Sequence, residues 1–285
     1  MKVAVFGHNG WIASHVVDYF TKNNIEVVYP ENLRADNQTD VEYFLETMKP
    51  THVLCMLGRT HGPGFPTIDY LEQPGKLYEN LRDNLFAPML LSQLSEKYNY
   101  HFTYLGTGCI FHMDYPQEYA FREYESPNFF GSSYSIVKGV TDQLLRNQHN
   151  TLVLRIRLPI ISSHHPRNFI TKLVKYSSIQ SEPNSVSVLP TLIPYILDMM
   201  KHNFEGCVNL VNPGCITHNE ILEMYKTMVD PSIVWKNVSA EEMGSLVCAK
   251  RCNNVLDTTV LEMLYPDVPS VHEAVHMCIS QMAPI

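Results

Sequence analysis

The feature that most constrains the fold is a glycine-containing turn between an N-terminal apolar strand and a helix. Met1–Phe6 is short and apolar, the run Gly7-His8-Asn9-Gly10-Trp11-Ile12-Ala13 follows at once, and Trp11–Asn23 has the pattern of a helix. Glycines let the backbone approach a ligand, and the N–H groups of a helix N-terminus face an anion. The turn therefore favours a dinucleotide pyrophosphate held by Gly7, Asn9, Gly10, Trp11 and Ile12, although a purely structural turn looks the same.

Apolar strands alternate with helices after this turn. The further predicted strands are Glu26–Tyr29, His52–Leu57, Phe102–Leu105 and Leu152–Ile156. The further predicted helices are Asp40–Lys49 with Asp40 as its cap, Lys76–Tyr98 with a break expected at Pro88, Ser132–Arg146, a helix opening within 167–172, Leu192–His202, His218–Val229, Ala240–Leu246 and Val271–Met282. The alternation indicates an α/β fold with a doubly wound parallel sheet. We expect residues 1–158 to bind the cofactor as a Rossmann domain, and 159–285 to form mainly a smaller substrate-binding lobe, interleaved with the last strands.

Composition excludes several classes of function. The net charge is −8 and no basic run stands out, which argues against a nucleic-acid partner. No apolar run approaches the roughly 20 residues of a membrane helix. Seven cysteines without framework spacing predict reduced thiols and a cytoplasmic protein. No metal site is predicted.

The segment after the second strand bears on the choice of cofactor. An acidic residue there holds the adenosine ribose, whereas an arginine accommodates the 2′-phosphate of NADPH. Arg34 favours NADP(H), but Glu31 leaves NADH open, and Arg34 could equally be a solvated charge. Gly58-Arg59-Thr60 lies at the carboxyl end of the third strand, where open α/β sheets bind ligands. Asn84, one helical turn after Asn80, either braces the catalytic strand or lies on the helix surface.

A second group of residues predicts carbonyl chemistry. Thr107 and Cys109 are two apart at the end of a strand, so they should share a face. Tyr134 and Lys138 are one helical turn apart, although this spacing also occurs by chance on amphipathic helices. A neighbouring ammonium lowers the pKa of a phenol. Tyr134 could then give a proton to a carbonyl oxygen that Thr107 holds.

The order of these motifs resembles the extended short-chain dehydrogenase/reductases, and within them the nucleotide-sugar 4-reductases that make rhamnose. More narrowly, it resembles bifunctional nucleotide-rhamnose 3,5-epimerase/4-reductases. The resemblance covers nearly the whole chain and lies in the segments 107–111, 127–135, 154–160, 166–172, 212–214, 218–225 and 253–257. Departures are Ala13 at the third glycine position and the loops Gly58–Pro66 and Ser162–His165.

The resemblance implies roles for particular residues. It implies reduction by Thr107, Tyr134 and Lys138, and epimerisation by Cys109 and Lys172. Cofactor contacts are expected from Tyr134, Lys138, Asn84 and Pro159 besides the residues above. Substrate contacts are expected from Asp69, Glu72, Asn128, Arg167, Asn168 and Arg251. A homodimer is also expected.

Three functions stay open at this point. The first is NADPH-dependent 3,5-epimerisation and 4-keto reduction of a UDP- or dTDP-linked 4-keto-6-deoxy-hexose, giving nucleotide L-rhamnose. The second, prompted by the two divergent loops, is a 4-reductase of a UDP-2-acetamido-2,6-dideoxy-hexulose, with or without 3-epimerase activity. The third is a non-catalytic, NADP-binding regulatory subunit, against which the intact Tyr134 and Lys138 argue.

Overall fold

A central parallel sheet organises the computed structural model, which describes residues 1–113, 119–239, 241–242 and 249–284. The strands of the chain are β1 (Lys2–Phe6), β2 (Glu26–Val28), β3 (His52–Cys55), β4 (His101–Thr107), β5 (Thr151–Ile156), β6 (Ser178–Ile179), β7 (Gly206–Asn209) and β8 (Lys236–Asn237). Six of them form one sheet in the order β2-β1-β3-β4-β5-β7, and β6 pairs with β8 separately. All six are parallel. The order reverses between β1 and β3, so a crevice is expected at the carboxyl ends of these two strands.

Helices cover both faces of the sheet, as the doubly wound prediction requires. They are α1 (Trp11–Lys22), α2 (Gln38–Met48), α3 (Leu77–Leu81), α4 (Ala87–Tyr98), α5 (Ser133–Leu145), α6 (Phe169–Leu173), α7 (Leu189–Lys201), α8 (His218–Met228), α9 (Thr259–Leu264) and α10 (Val271–Ile279). One apolar cluster packs α1 and α7 against the sheet, and another packs α2 and α4 against the opposite face. β3 is buried along its whole length, which explains why its residues form a continuous apolar run.

Two local predictions need correction. Asn37, not Asp40, caps α2, because its side chain accepts the Asp40 backbone N–H. The helix predicted to break at Pro88 instead passes through a π-helical turn, Arg82–Phe86, and continues as α4. Proline leaves the carbonyl four residues earlier without its helical donor. That carbonyl, of Asn84, accepts the Thr141 hydroxyl at 2.8 Å, so the chain stays helical.

The later part of the chain builds a second lobe but also completes the sheet. A separate apolar cluster joins α6, α8 and α10, whereas β7 pairs with β5 in the main sheet. The two lobes are therefore interleaved, and a boundary at residue 158 stays a prediction. Neither β7 nor α9 was predicted. The predicted helix Ala240–Leu246 lies outside the described residues except at Glu241 and Glu242, which are helical. Across the described ranges, no helix has the length and apolar character needed to span a bilayer.

Candidate active site

Three of the residues predicted to handle a carbonyl group meet at the carboxyl end of β4. Thr107 ends that strand, and its hydroxyl oxygen accepts the Cys109 backbone N–H at 3.1 Å. The strand stops there, so the turn after Thr107, not an extended face, brings Cys109 to it. Tyr134 lies in the first turn of α5, where Ser132 caps the helix. The Thr107 hydroxyl lowers the pKa of Tyr134 as a hydrogen-bonding neighbour, and Cys109 packs on the cluster that contains Tyr134.

Tyr134 and Lys138 are both buried, with exposed fractions of 8% and 4%. Burial raises the pKa of Tyr134, charge on Cys109 raises it further, and the Thr107 hydrogen bond offsets only part of this. The Lys138 ammonium donates to the Tyr104 phenol and lies 4.5 Å from the centroid of that ring. Burial lowers the pKa of Lys138 to about 8. The expected lowering of the Tyr134 pKa is thus wrong for this structure, because burial raises this pKa and the Lys138 ammonium donates to Tyr104 instead.

The glycine turn after β1 has the geometry of an anion site. Gly7 adopts a φ of +89°, and a Cβ there would lie 2.8 Å from the Met56 carbonyl oxygen, so no other residue fits without a shift. The Gly10 N–H donates to the Gly7 carbonyl at 2.9 Å. Gly10 is also the N-cap residue of α1, and it has no side chain that could accept the first N–H groups. Asn9 is exposed at the turn, and Trp11 and Ile12 are half-buried in the first turn of α1.

Three arginines converge on one carboxylate, that of Asp83, and Arg82 Nε contacts it at 2.8 Å. Arg34 lies 3.2 Å from Asp83 Oδ1 and 2.6 Å from Asp36, and Arg59 Nε lies 3.0 Å from Asp83 Oδ2. The Arg34 side chain is 54% exposed, so it is available to a further anion. Glu31 is exposed in the same segment. Two guanidinium groups at the ends of β2 and β3 suit a 2′-phosphate better than a free ribose hydroxyl.

Asn84 braces the loop after β3 from inside the protein. Its Oδ1 accepts the Arg59 N–H at 3.0 Å, and its Nδ2 donates to the Arg59 carbonyl at 3.0 Å and to Asn80 Oδ1 at 2.8 Å. Asn80 in turn donates to the Ser133 hydroxyl at 2.7 Å, next to Tyr134. Both asparagines are fully buried, so the helix-surface alternative is wrong; the side chain of Asn84 holds the loop after β3 and not the catalytic strand.

The other predicted cofactor residues also lie at the carboxyl ends of strands. Gly58 and Thr60 follow β3; Gly58 is exposed and Thr60 is half-buried. Pro159 follows β5, and its carbonyl accepts the Phe169 N–H at 3.2 Å. Their contact with a cofactor stays a prediction.

Basic side chains gather on the side of the second lobe. Lys172 lies in α6, and burial lowers its pKa, with the charges of Arg167 and Arg251 acting in the same direction. This direction agrees with the sequence prediction. Arg167 Nη2 contacts His61 Nε2, and burial together with Arg167 lowers the pKa of His61. Arg251 also lowers the pKa of Cys109. One cation therefore acts on both members of the predicted epimerisation pair.

Asp69 and Glu72, predicted to contact substrate, are bound to protein donors. Asp69 accepts the Ala249 N–H at 2.7 Å and forms an ion pair with Arg251 at 2.7 Å. Glu72 Oε1 accepts the Ser133 N–H at 2.7 Å, at the N-terminus of α5. Asp69 therefore positions Arg251, and Glu72 positions the helix that carries the tyrosine.

The two predicted substrate-binding asparagines also have protein partners. Asn128 accepts the His112 N–H at 2.8 Å and donates to the His112 carbonyl at 2.9 Å. Asn168 is fully buried and caps α6. Its Nδ2 donates to the Ile161 and Ser163 carbonyls at 2.9 and 2.8 Å. The prediction that Asn168 contacts substrate needs correction, because burial leaves its side chain to hold this loop.

Two residues that the sequence did not identify contact Cys109. Arg157 Nη1 lies 3.5 Å from the Cys109 sulfur and 3.3 Å from that of Cys252. Arg157 follows β5 and is buried. A charged residue inside the apolar run Leu154–Ile160 was an available signal for a buried ionic site. No pattern in the neighbouring sequence identifies Cys252 as a site residue, because it reaches the site only through its long-range contact with Arg157.

Comparison with known proteins agrees with this geometry. The family model for the RmlD substrate binding domain matches residues 1–190. The chain belongs to this family. A UDP-rhamnose synthase from Acanthamoeba polyphaga mimivirus has a crystal structure with a TM-score of 0.95 and 45% identity, covering 99% of both chains. A bifunctional dTDP-4-dehydrorhamnose 3,5-epimerase/dTDP-4-dehydrorhamnose reductase from Arabidopsis thaliana is 36% identical over 95% of this chain and 89% of its own length.

A more distant relative shares the fold alone. The dTDP-4-dehydrorhamnose reductase of Bacillus anthracis, solved in complex with NADP, superposes with a TM-score of 0.80 at 16% identity, covering 97% of both chains. Together these comparisons confirm the predicted fold class and the resemblance to nucleotide-rhamnose epimerase/reductases. They confirm equally that the chain is an enzyme of this type.

Proposed function

We propose that the protein uses NADPH to epimerise carbons 3 and 5 of a nucleotide-linked 4-keto-6-deoxy-hexose and to reduce its 4-keto group, giving nucleotide L-rhamnose. The observation that carries the proposal is the meeting of Thr107, Tyr134 and Cys109 at the end of β4, with a less basic Lys172 on the second lobe. The names of the viral and plant relatives support the same reaction.

One pair of donors serves both halves of this reaction. Carbons 3 and 5 flank the 4-keto group, so removal of either proton places charge on the carbonyl oxygen as an enolate. Donors aimed at that oxygen stabilise the enolate and later assist reduction. The Thr107 hydroxyl acts on the Tyr134 phenol, and the two hydroxyls can share this oxygen between them. Because burial raises the pKa of Tyr134, its proton stays in place until reduction requires it.

Epimerisation needs a base and an acid on opposite faces of the sugar ring. A hydrogen bond from Cys252 lowers the pKa of Cys109, with Arg157 and Arg251 contributing, which supports a thiolate base. Burial, Arg167 and Arg251 lower the pKa of Lys172, and a lysine of lower pKa gives up its proton more readily. The two groups come from different lobes, so a ring between them would meet one on each face.

The cofactor side of the site fits NADP(H). The turn Gly7–Gly10 would hold the pyrophosphate. Arg34 and Arg59 would bind a 2′-phosphate, and Lys138 would bind the ribose next to the nicotinamide. Bound NADPH would supply the hydride that reduces the carbonyl carbon. Tyr134 then gives its proton to the carbonyl oxygen, and Thr107 keeps that oxygen in place. Because Glu31 is exposed, NADH stays the alternative cofactor. Turnover measured with NADPH and with NADH at equal concentration decides between them.

The test is turnover of UDP- and dTDP-4-keto-6-deoxyglucose and of UDP-2-acetamido-2,6-dideoxy-hexulose, followed by NADPH oxidation and product NMR. A rhamnose-configured product supports the proposal. Turnover of the acetamido sugar alone replaces it with the second function considered above. NADPH binding without any turnover replaces it with a regulatory role.

Two variants separate the half-reactions. Cys109→Ala should abolish deuterium exchange from solvent at carbons 3 and 5. Tyr134→Phe should retain exchange but lose at least about a hundredfold in reduction, the usual contribution of a general acid. Tyr78→Phe, an exposed tyrosine, is the matched control. Exchange that survives Cys109→Ala contradicts the epimerase assignment.

An exposed apolar stripe supports a homodimer. Ile136, Val140 and Leu144 recur at every fourth residue of α5 and are 41–44% exposed. Leu81 and Phe86, in and after α3, are also exposed. An apolar helical stripe of this kind usually packs against another element. A second copy of the chain, packed through α5, would cover it.

A cytoplasmic setting is supported by the thiols. The six described cysteines are all free, as expected for a protein of a reducing compartment. Recovery of activity only under reducing conditions would agree with this setting.

A further inference from the structure

A buried cation without a carboxylate lies behind Cys109. Arg157 is 2% exposed. Its Nη2 donates to the Cys252 carbonyl at 2.6 Å and to Asn184 Oδ1, and its Nη1 points at the two sulfurs. Its Nε is buried and unpartnered in the part of the chain that the structure describes. No carboxylate among the described residues forms an ion pair with it.

Arg155, two residues earlier, shows what a buried arginine ordinarily requires. It is fully buried, and Asp142 binds it through two bonds of 2.8 and 2.7 Å. A buried charge without a counter-ion is strongly unfavourable, so such charges are paired. The acidic atoms within reach of Arg157 are the sulfurs of Cys109 and Cys252. One of them must carry the negative charge that Asp142 carries for Arg155.

The surroundings of the two sulfurs favour Cys109 as the anion. Arg157 Nη1 contacts both sulfurs, and Cys252 acts as a hydrogen-bonding neighbour that lowers the pKa of Cys109, whereas the pKa of Cys252 is raised. Cys109 is also the sulfur that Arg251 and the Thr107 hydroxyl stabilise as an anion. Cys252 is therefore the donor and Cys109 the thiolate.

Several charged or titratable groups act on Cys109. They come from the end of β4, from α5, from the segment after β5 and from the C-terminal segment, and they are Thr107, Tyr134, Lys138, Arg157, Arg251 and Cys252. The segment 68–72, which also packs against Cys109, adds Asp69, Tyr70 and Glu72. The cations among them favour the thiolate, and the hydroxyl and thiol groups can donate to it. The two carboxylates of the segment 68–72 are engaged by other donors: Asp69 pairs with Arg251 at 2.7 Å, and Glu72 accepts the Ser133 N–H at 2.7 Å.

We propose that Arg157 and Cys252 are positioning residues that hold Cys109 as a thiolate, with Arg157 as counter-ion and Cys252 as hydrogen-bond donor. The role of this thiolate as the base that removes the protons next to the carbonyl rests on the proposed function. The thiolate itself does not, because it follows from contacts within the free protein. Neither Arg157 nor Cys252 needs to touch the substrate for this role.

The test is a pH titration of the thiolate by its ultraviolet absorbance, taken as the difference between the wild type and Cys109→Ser. In the wild type, the pKa of Cys109 should be well below that of a free cysteine. Cys252→Ala should raise the pKa of Cys109 by about one to two, the value of a hydrogen bond to a charged group. Cys252→Ser keeps a donor and should restore most of the shift. Cys278→Ala, in the separate cluster of the second lobe, should change nothing.

Arg157→Met should raise the pKa of Cys109 further, and Arg157→Lys should restore part of the shift. If these variants do not fold, the two Cys252 variants decide the matter alone. An unchanged titration in Cys252→Ala, or an ordinary cysteine pKa in the wild type, overturns the proposal.

Activity separates this proposal from the function on which part of it rests. Where turnover occurs, the acid limb of solvent deuterium exchange should shift with the thiolate titration in each variant. A shifted titration without turnover of any nucleotide sugar would refute the proposed function and leave the thiolate assignment standing. A rhamnose product together with an unshifted titration would support the proposed function and refute the thiolate assignment.

Discussion

Lys138→Met should make the cofactor-free protein more stable near neutral pH, although it removes a residue of the proposed catalytic set. Lys138 is 4% exposed, and burial lowers its pKa from 10.5 to about 8. The unfolded chain therefore binds more protons than the folded protein between these values, and stability rises with pH across this range. At about pH 7 the buried ammonium disfavours folding by about 3 kcal/mol, and at about pH 10 by about 1 kcal/mol.

The bond from Lys138 to the Tyr104 phenol acts in the opposite direction. Its loss costs about 1 kcal/mol, so the variant should gain about 2 kcal/mol near neutral pH and almost nothing near pH 10. Reversible urea unfolding of both proteins across this range measures the difference. Lys22→Met, which removes an exposed lysine of α1, controls for the loss of a charge. A gain that does not decline as the pH rises would refute the argument from burial.

Three further substitutions test other parts of the structure. Arg34→Ala should raise the KM for NADPH by about tenfold, the value of one charge-assisted contact, and leave the KM for NADH unchanged; equal effects on both would refute the 2′-phosphate assignment. Asn84→Ala removes three buried hydrogen bonds and should lower the free energy of unfolding by about 2–4 kcal/mol. The exposed Asn147→Ala should stay within about 0.5 kcal/mol in the same denaturation experiment. Leu144→Glu should convert the proposed dimer to monomers in sedimentation, and an unchanged mass would exclude packing through α5.

The main elements could be predicted because parallel strands buried on both faces leave continuous apolar runs in the sequence. The strand β7, Gly206–Asn209, could not, since it is short and contains glycine and asparagine. It is a strand because β5 offers its free edge in register, from Leu152 opposite Gly206 onward. Such tertiary pairing leaves no periodicity within the segment itself.

The site shows the same division between local and long-range information. The spacing of Tyr134 and Lys138 placed both on one helix face, but it did not reveal how deeply the phenol is buried. Burial decides the sign of its pKa change. The contact between Arg157 and Cys252 joins residues 95 apart in the chain, so only the folded structure could bring them together.

The Asp69–Arg251 ion pair fixes a cation that affects the pKa values of both the proposed acid and the proposed base. Asp69 lies in a short 3-10 helix, Ile68–Glu72, after β3, and Arg251 comes from the C-terminal segment. The Arg251 charge lowers the pKa of both Cys109 and Lys172. For the thiol this favours the form that removes a proton, and for the amine it favours release of one. A single fixed cation thus lowers the pKa values of both groups, which favours a thiolate as the base and an ammonium that releases its proton readily as the acid.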